Sequence, residues 1–187
     1  DQTSSLFSLY KAWGIIPSNV ANGGISSEIR AGVLFDTRDS ENYPTKGIWA
    51  EAFGTLAPKF IGNTDGYGKL DAIWRQYIPL YKDRLVFAYR VSYAQFIGSS
   101  TPWYALPYLY VVGPYYDRDA IGGYRTVREM MASRVLGKGM GFYNAEFRWN
   151  FVNFKWLKQN WGLALSAFND GTKVFVPLDL TNKTGYA

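Results

Sequence analysis

The sequence predicts an all-β protein, an antiparallel transmembrane β-barrel of outer-membrane type, to which this chain contributes about six consecutive strands. Three observations carry that expectation. Apolar and polar residues alternate over segments of roughly 9 to 13 residues, aromatic residues reach 18% of the chain, and the connections are short at one end and long at the other.

Alternation is clearest over 140–151. There Phe142, Asn144, Glu146, Arg148 and Asn150 fall on one side, and Tyr143, Ala145, Phe147, Trp149 and Phe151 on the other. Successive side chains of a strand point to opposite faces, so this segment has one polar and one apolar face. Over 84–96, Leu85, Phe87, Tyr89, Val91 and Tyr93 oppose Arg84, Arg90 and Ser92. Over 160–170, Trp161, Leu163, Leu165 and Ala167 oppose Gly162, Ala164, Ser166, Phe168 and Asp170. The segments 67–79, 29–37 and 48–57 follow with weaker contrast. Lys69, Asp71, Arg75 and Tyr77 oppose Leu70, Ala72, Trp74 and Ile78; Arg30 and Asp36 oppose Ile29, Ala31, Val33 and Phe35; Glu51 and Thr55 oppose Ile48, Ala50, Ala52 and Leu56. Such strands match what a tilted crossing of a bilayer needs, about 9–11 residues. No segment of comparable length carries helical periodicity.

Composition narrows the chemistry. The 187 residues include Tyr 15, Phe 12 and Trp 7, types suited to pleated, half-buried surfaces and to boundaries between apolar and wet regions. No run approaches the roughly 20 apolar residues of a membrane helix. The mean hydropathy of −0.17 is no argument against a membrane barrel, whose alternating strands dilute the signal. Cysteine is absent, which removes disulfides and thiolate metal sites. Histidine is absent too, and with it Ser-His-Asp hydrolysis. Neither a cofactor nor a metal is expected. The net charge of +5 reads either as attraction to anionic surfaces or as a solvated basic surface. No basic and apolar leader opens the chain, so any export signal is expected upstream.

At one end the connections are a tight turn at 81–83, a fairly short one at 152–158 and a longer one at 39–46, closed by Gly47; the opposite set comprises 58–66 and a long segment, 97–138. Short turns on one side and long loops on the other is the layout of an outer-membrane barrel. A soluble β-sandwich also has one apolar face per strand, so alternation alone does not say which face meets lipid. Three features favour the membrane. Charges on the polar face (Lys69, Asp71, Arg75, Glu146, Arg148) suit a wet lumen. Aromatics on the apolar face (Trp74, Tyr89, Tyr93, Tyr143, Trp149, Phe151) suit interfacial girdles. The third is the asymmetry of the loops. On this reading Phe87, Phe147 and Leu163 face lipid, whereas Asn144 and Ser166 are inward positions expected to tolerate added charge.

Four motifs carry a resemblance. Gly32 to Asp39 (G-V-L-F-D-T-R-D), followed by Tyr43-Pro44 and Lys46-Gly47, resembles the strand-turn-strand signature of the BamA/TamA-type superfamily of outer-membrane protein assembly factors. Ile121-Gly122-Gly123-Tyr124-Arg125-Thr126-Val127-Arg128 resembles the tip of that family's long sixth extracellular loop. Asn144-Ala145-Glu146-Phe147-Arg148 and Ala167-Phe168-Asn169-Asp170-Gly171 resemble motifs of the two strands that follow. The four occur in the family's order over most of the chain.

The resemblance implies a sixteen-strand barrel in the bacterial outer membrane, of which the chain spans roughly the eighth to thirteenth strands. It implies that the long loop folds into the lumen, where the motif arginine, Arg128, pairs with Glu146 and Asp170. Both acids fall on the wet faces assigned above. Gly122, Gly123 and Val127 belong to the loop motif, and Asp36, Arg38, Asp39, Pro44 and Gly47 to the strand-turn motif. The family's Gly-aromatic after the arginine is replaced here by Glu129-Met130. That change predicts a different local shape at the loop tip, with Glu129 a competitor for Arg128.

The implied function is a non-enzymatic, insertase-like assembly or translocation barrel. Its implied partners are outer-membrane lipid, the remaining barrel strands, unfolded outer-membrane protein substrates, and periplasmic or lipoprotein accessory subunits, with no nucleic acid. The alternatives are a passive channel or scaffold of the same fold, and an outer-membrane enzyme whose barrel is only a support. Six strands leave edges that a barrel cannot tolerate, so the chain is expected to be part of something larger. Its end at Thr184-Gly185-Tyr186-Ala187 shows no terminal aromatic strand. The aromatic run 103–116 reads as a loop packed on itself rather than as a partner surface. Gly137-Lys138-Gly139-Met140-Gly141 lacks the spacing of a phosphate loop.

Overall fold

Alternation decides the strands, and the strands assemble in chain order with one insertion. The computed structural model describes residues 5–14, 16, 18, 23, 25–98, 101–106, 108–111, 118–133 and 135–177. Strands β1 (Ile29–Asp36), β2 (Gly47–Ala57), β3 (Tyr67–Tyr81), β4 (Leu85–Ile97), β7 (Gly139–Trp156) and β8 (Gln159–Val176) form one antiparallel sheet. Its order is β1-β2-β3-β4-β7-β8, and the sheet is open. Between β4 and β7 the long loop holds a separate two-stranded ribbon, β5 (Tyr108–Tyr110) with β6 (Arg118–Ala120). A seven-residue helix, α1 (Leu6–Ala12), precedes the sheet. The Ser5 hydroxyl caps it by accepting from the Ser8 amide at 3.2 Å. So short a helix spans too few turns to show periodicity in sequence.

The last two strands run further than alternation alone marks, and the reason is a bulge. Asn150 pairs with Ala164 and Val152 with Leu163, so Phe151 is the extra residue of β7. Beyond it the outward apolar positions switch from odd (Phe147, Trp149) to even (Val152, Phe154, Trp156). A strict period of two therefore appears to end at Phe151, although the ladder continues to Trp156 opposite Gln159. The true turn is two residues, Leu157 and Lys158, with φ of 50° and 62°. Both lie in the left-handed region used by tight hairpin turns.

The two faces of the sheet differ as predicted. Outward stand Val33, Phe35, Leu56, Leu70, Trp74, Val91, Phe147, Trp149, Leu163 and Leu165, all exposed. They form a continuous apolar surface; Phe87 and Phe147 touch across β4 and β7 with ring centroids 4.8 Å apart. Inward stand Glu51, Thr55, Lys69, Asp71 and Ser92, all buried. The inner wall is covered near its loop end by two apolar clusters. One joins Ala94, Met140 and Phe142 of the wall to Leu109, Ile121 and Val127 of the loop. The other joins Ala57, Tyr67 and Phe96 to Ala105 and Leu106. The loop is therefore built into the inner wall. The described part of the aromatic run 103–116 packs with Trp103 and Tyr104 against the wall cluster rather than only on itself; Pro107 and 112–117 lie outside the described residues. So does the segment 178–187.

Buried charge on the inner wall is paired. Lys69 and Asp71 approach to 3.2 Å with side chains 0% and 1% exposed, and the Lys69 ammonium also donates to the Tyr108 carbonyl of the loop. A paired, hydrogen-bonded lysine beneath a covering loop avoids the penalty of a lone buried charge.

Candidate functional site

The strand-turn motif is a self-contained corner. Asp39 accepts from the Thr45 amide (2.9 Å), the Thr45 hydroxyl (2.5 Å) and the Lys46 amide (3.2 Å). Arg38 donates to both oxygens of Asp36 (2.9 and 3.0 Å) and to the Glu41 carbonyl (3.2 Å), and its guanidinium lies 4.2 Å from the centre of the Trp49 ring. Pro44 is buried within the corner. Gly47 has φ of 105°, and a Cβ there would stand 2.4 Å from the Thr37 carbonyl oxygen, so the turn admits no side chain at this position.

At the loop tip the chain doubles back on itself. Gly122 and Gly123 have φ of 102° and 84°, and a Cβ on Gly122 would meet the Met131 carbonyl oxygen at 2.3 Å. The Gly123 amide donates to Met130 (2.7 Å) and the Ser133 amide to Ile121 (3.1 Å). The Thr126 hydroxyl fills the bend, accepting from the Gly122 amide at 2.8 Å and lying 2.8 Å from the Ala120 carbonyl. Val127, 5% exposed, plugs the apolar cluster. Its burial orients the next residue, Arg128, toward the wall.

Arg128 meets the wall at β7 and β8. Its Nε and Nη2 donate to the two oxygens of Asp170 at 2.7 and 2.9 Å, a bidentate pair. Its own amide donates to the same carboxylate at 3.2 Å. The guanidinium also lies 3.5 Å from the centre of the Phe168 ring. Glu146 is a looser partner, 3.4 Å from Nη1. It accepts instead from the Ser166 hydroxyl (2.5 Å) and Arg148 Nε (3.2 Å). Arg128 thus grips Asp170 and only brushes Glu146, rather than forking evenly between the two. Hydrogen bonding to Asp170 raises the Arg128 pKa above its ordinary value against the opposing effect of burial. Among the described residues its ion-pair partners are Asp170 and Glu146. Among the described residues Glu129 makes no ion pair with Arg128, and its backbone is not in the left-handed region.

Sequence reasoning missed the role of Asn144. Paired with Asp170 in the ladder, its amide donates to Asp170 Oδ1 at 2.7 Å and to the Thr126 carbonyl of the loop. Its oxygen accepts from Arg90 Nε at 2.8 Å, and Arg90 also donates to the Arg125 carbonyl. The Asn144 side-chain nitrogen makes two donations and its oxygen one acceptance, all to wall or loop. The available signal was its place on the same inward face as Glu146, two residues away. Asn144 therefore contributes directly to the loop attachment, and Ser166 supports Glu146 beside it.

A sheet that is apolar outward and charged inward, with a long loop fastened to its inner wall, defines the wall of an outer-membrane-type β-barrel. The Omp85 superfamily domain matches residues 13–179, most of the chain, and the chain belongs to that superfamily. The superfamily is associated with the bacterial outer membrane and with protein assembly and translocation there. No curated protein and no solved structure matches the chain.

Proposed function

We propose that this chain is part of the wall of an insertase-like, non-enzymatic barrel in the bacterial outer membrane that assembles or translocates other outer-membrane proteins. The carrying observation is the attachment of the loop tip to β7 and β8 through Arg128 and Asp170. In this reading Arg128, Asp170 and Glu146 lock the loop inside the lumen. The apolar outward face contacts lipid, unfolded outer-membrane proteins are the substrates, and periplasmic or lipoprotein subunits assist. Membership of the Omp85 superfamily supports this reading. The experiment follows protease cleavage of the loop in intact cells alongside the assembly of other outer-membrane proteins. Arg128→Ala is expected to expose the loop and slow assembly. Unchanged protection in Arg128→Ala, Glu146→Ala and Asp170→Ala refutes the lock. Lost protection with normal assembly assigns the chain to a passive channel or scaffold instead.

A further inference from the structure

The inner wall carries more cation than the loop lock uses. A cleft of about 230 Å³ opens between the wall and the loop tip, lined by Arg75, Arg90, Arg125, Arg128 and Arg148 together with Tyr77. Among the described residues, few carboxylates face these five guanidinium groups. Asp170 is taken by Arg128, Glu146 is shared by Arg128 and Arg148, Glu51 stands 3.8 Å from Arg75, and Asp119 lies within electrostatic reach of Arg90, Arg125 and Arg75.

The register sharpens the problem. Arg75 on β3 is directly opposite Arg90 on β4, and like charges in that relation destabilise a sheet. Arg75 makes no hydrogen bond among the described residues; its Nε is buried without a partner, and its separation from Glu51 exceeds hydrogen-bonding distance. Among the described residues Arg148 donates once, from Nε to Glu146, and its guanidinium lies 5.8 Å from the centre of the Tyr77 ring. Planar guanidinium groups present paired donors that fit oxyanions. Two incompletely used arginines with a tyrosine between them, on rigid strands in one cleft, make a preformed receptor.

We infer that this cleft binds a small multivalent oxyanion of the phosphate class, held between Arg75 and Arg148 beside Tyr77. The inference rests on the inner face being a wet lumen, but not on the lock or on insertase activity. A bound anion offsets the Arg75–Arg90 repulsion and adds a second tie between wall and loop tip, because Arg90 and Arg125 share the cleft. The phosphate is either free or part of a lipid headgroup.

The test is calorimetric titration of the folded protein, in uncharged detergent micelles, with inorganic pyrophosphate at constant ionic strength. A parallel arm uses vesicles containing an anionic phospholipid with no free anion added, read by protection of the loop from protease. Saturable binding of one pyrophosphate per chain is expected, weakened at least tenfold by Arg75→Gln and by Arg148→Gln and unchanged by Lys158→Gln at the distant hairpin turn. Protection by the phospholipid arm alone identifies a headgroup ligand; binding of pyrophosphate alone identifies a free one. Among the described residues Arg148 makes a single hydrogen bond, so Arg148→Gln is expected to preserve folding even if Arg75→Gln does not. Heat no greater than that from chloride at matched ionic strength in both wild type and variants, with no protection by phospholipid, overturns the site. So does saturable binding that Arg148→Gln leaves unchanged. Arg75, Tyr77 and Arg148 all stand on wall strands, so a failed lock leaves the pyrophosphate titration intact and the two proposals fail separately.

Discussion

Arg128 spends its best hydrogen bonds on one carboxylate. Two contacts of 2.7 and 2.9 Å reach Asp170, whereas Glu146 is 3.4 Å away and has Ser166 and Arg148 besides. Asp170→Ala is therefore expected to open the loop at a cost of about 1.5–3 kcal/mol, the range for hydrogen bonds to charged groups. Glu146→Ala should cost less, below about 1 kcal/mol, as for partly hydrated pairs. Arg128→Lys should recover only part of the loss, since an ammonium cannot engage both Asp170 oxygens in plane. Relative rates of loop proteolysis rank the three; equal effects of Asp170→Ala and Glu146→Ala would contradict the asymmetry. At the strand-turn corner, the Thr45 hydrogen bonds hold the Asp39 carboxyl at about 2, below its ordinary 3.8. The folded value is the lower one, so the ionised carboxylate stabilises the corner above pH 3.8 and that contribution is lost as pH falls through about 2. Thr45→Val is expected to return the Asp39 titration toward 3.8, followed by the carboxyl-carbon NMR shift.

At the level of strands, what separates the faces is the environment that each side chain must enter. Phe87, Phe147 and Leu163 stand on the apolar outward face. Arginine at any of them should block membrane assembly, at about 2–4 kcal/mol for a charge near the bilayer midplane. Ala164→Arg, on the inward side of the same ladder, should assemble normally; heat-modifiable gel migration of refolded protein distinguishes the outcomes. The β7–β8 turn carries a different cost. Leu157 and Lys158 both adopt left-handed backbone, which costs roughly 1–2 kcal/mol per non-glycine residue. Replacing the pair by Asn-Gly should raise the denaturant midpoint of the refolded protein, because those residues accept that geometry readily. An unchanged or lowered midpoint would show that Leu157 contributes contacts that outweigh the strain.

For the molecule as a whole, the sheet leaves β1 and β8 each with one unpaired edge, and its outward face is apolar. This chain alone in dilute buffer is expected to aggregate, or to require detergent or added strands, since open edges and apolar patches both seek partners. Analytical ultracentrifugation with and without detergent tests this. A monomeric species with a sharp cooperative melt in plain buffer would contradict the membrane reading of the outer face.

Period-two patterning was enough to place six strands, to sort Lys69, Asp71 and Glu146 inward from Trp74 and Phe147 outward, and to align Asp170 with the inward face. A strand's side-chain direction is a local property of its backbone, so sequence alone determines it until a bulge resets the phase, as Phe151 does. Motif resemblance added Arg128 as the residue that meets the wall. Tertiary structure decided the rest. Asp170 rather than Glu146 receives the fork, because the ladder sets Asn144 and Asp170 side by side beneath the loop tip. The long loop is an apolar lid with its own ribbon, because Ile121 and Val127 find Phe142 only after β4 and β7 have paired. Arg75 and Arg90 oppose one another only through the β3–β4 register. These contacts join residues far apart in the chain, and their geometry follows from the pairing of whole strands, which side-chain alternation within one strand does not specify.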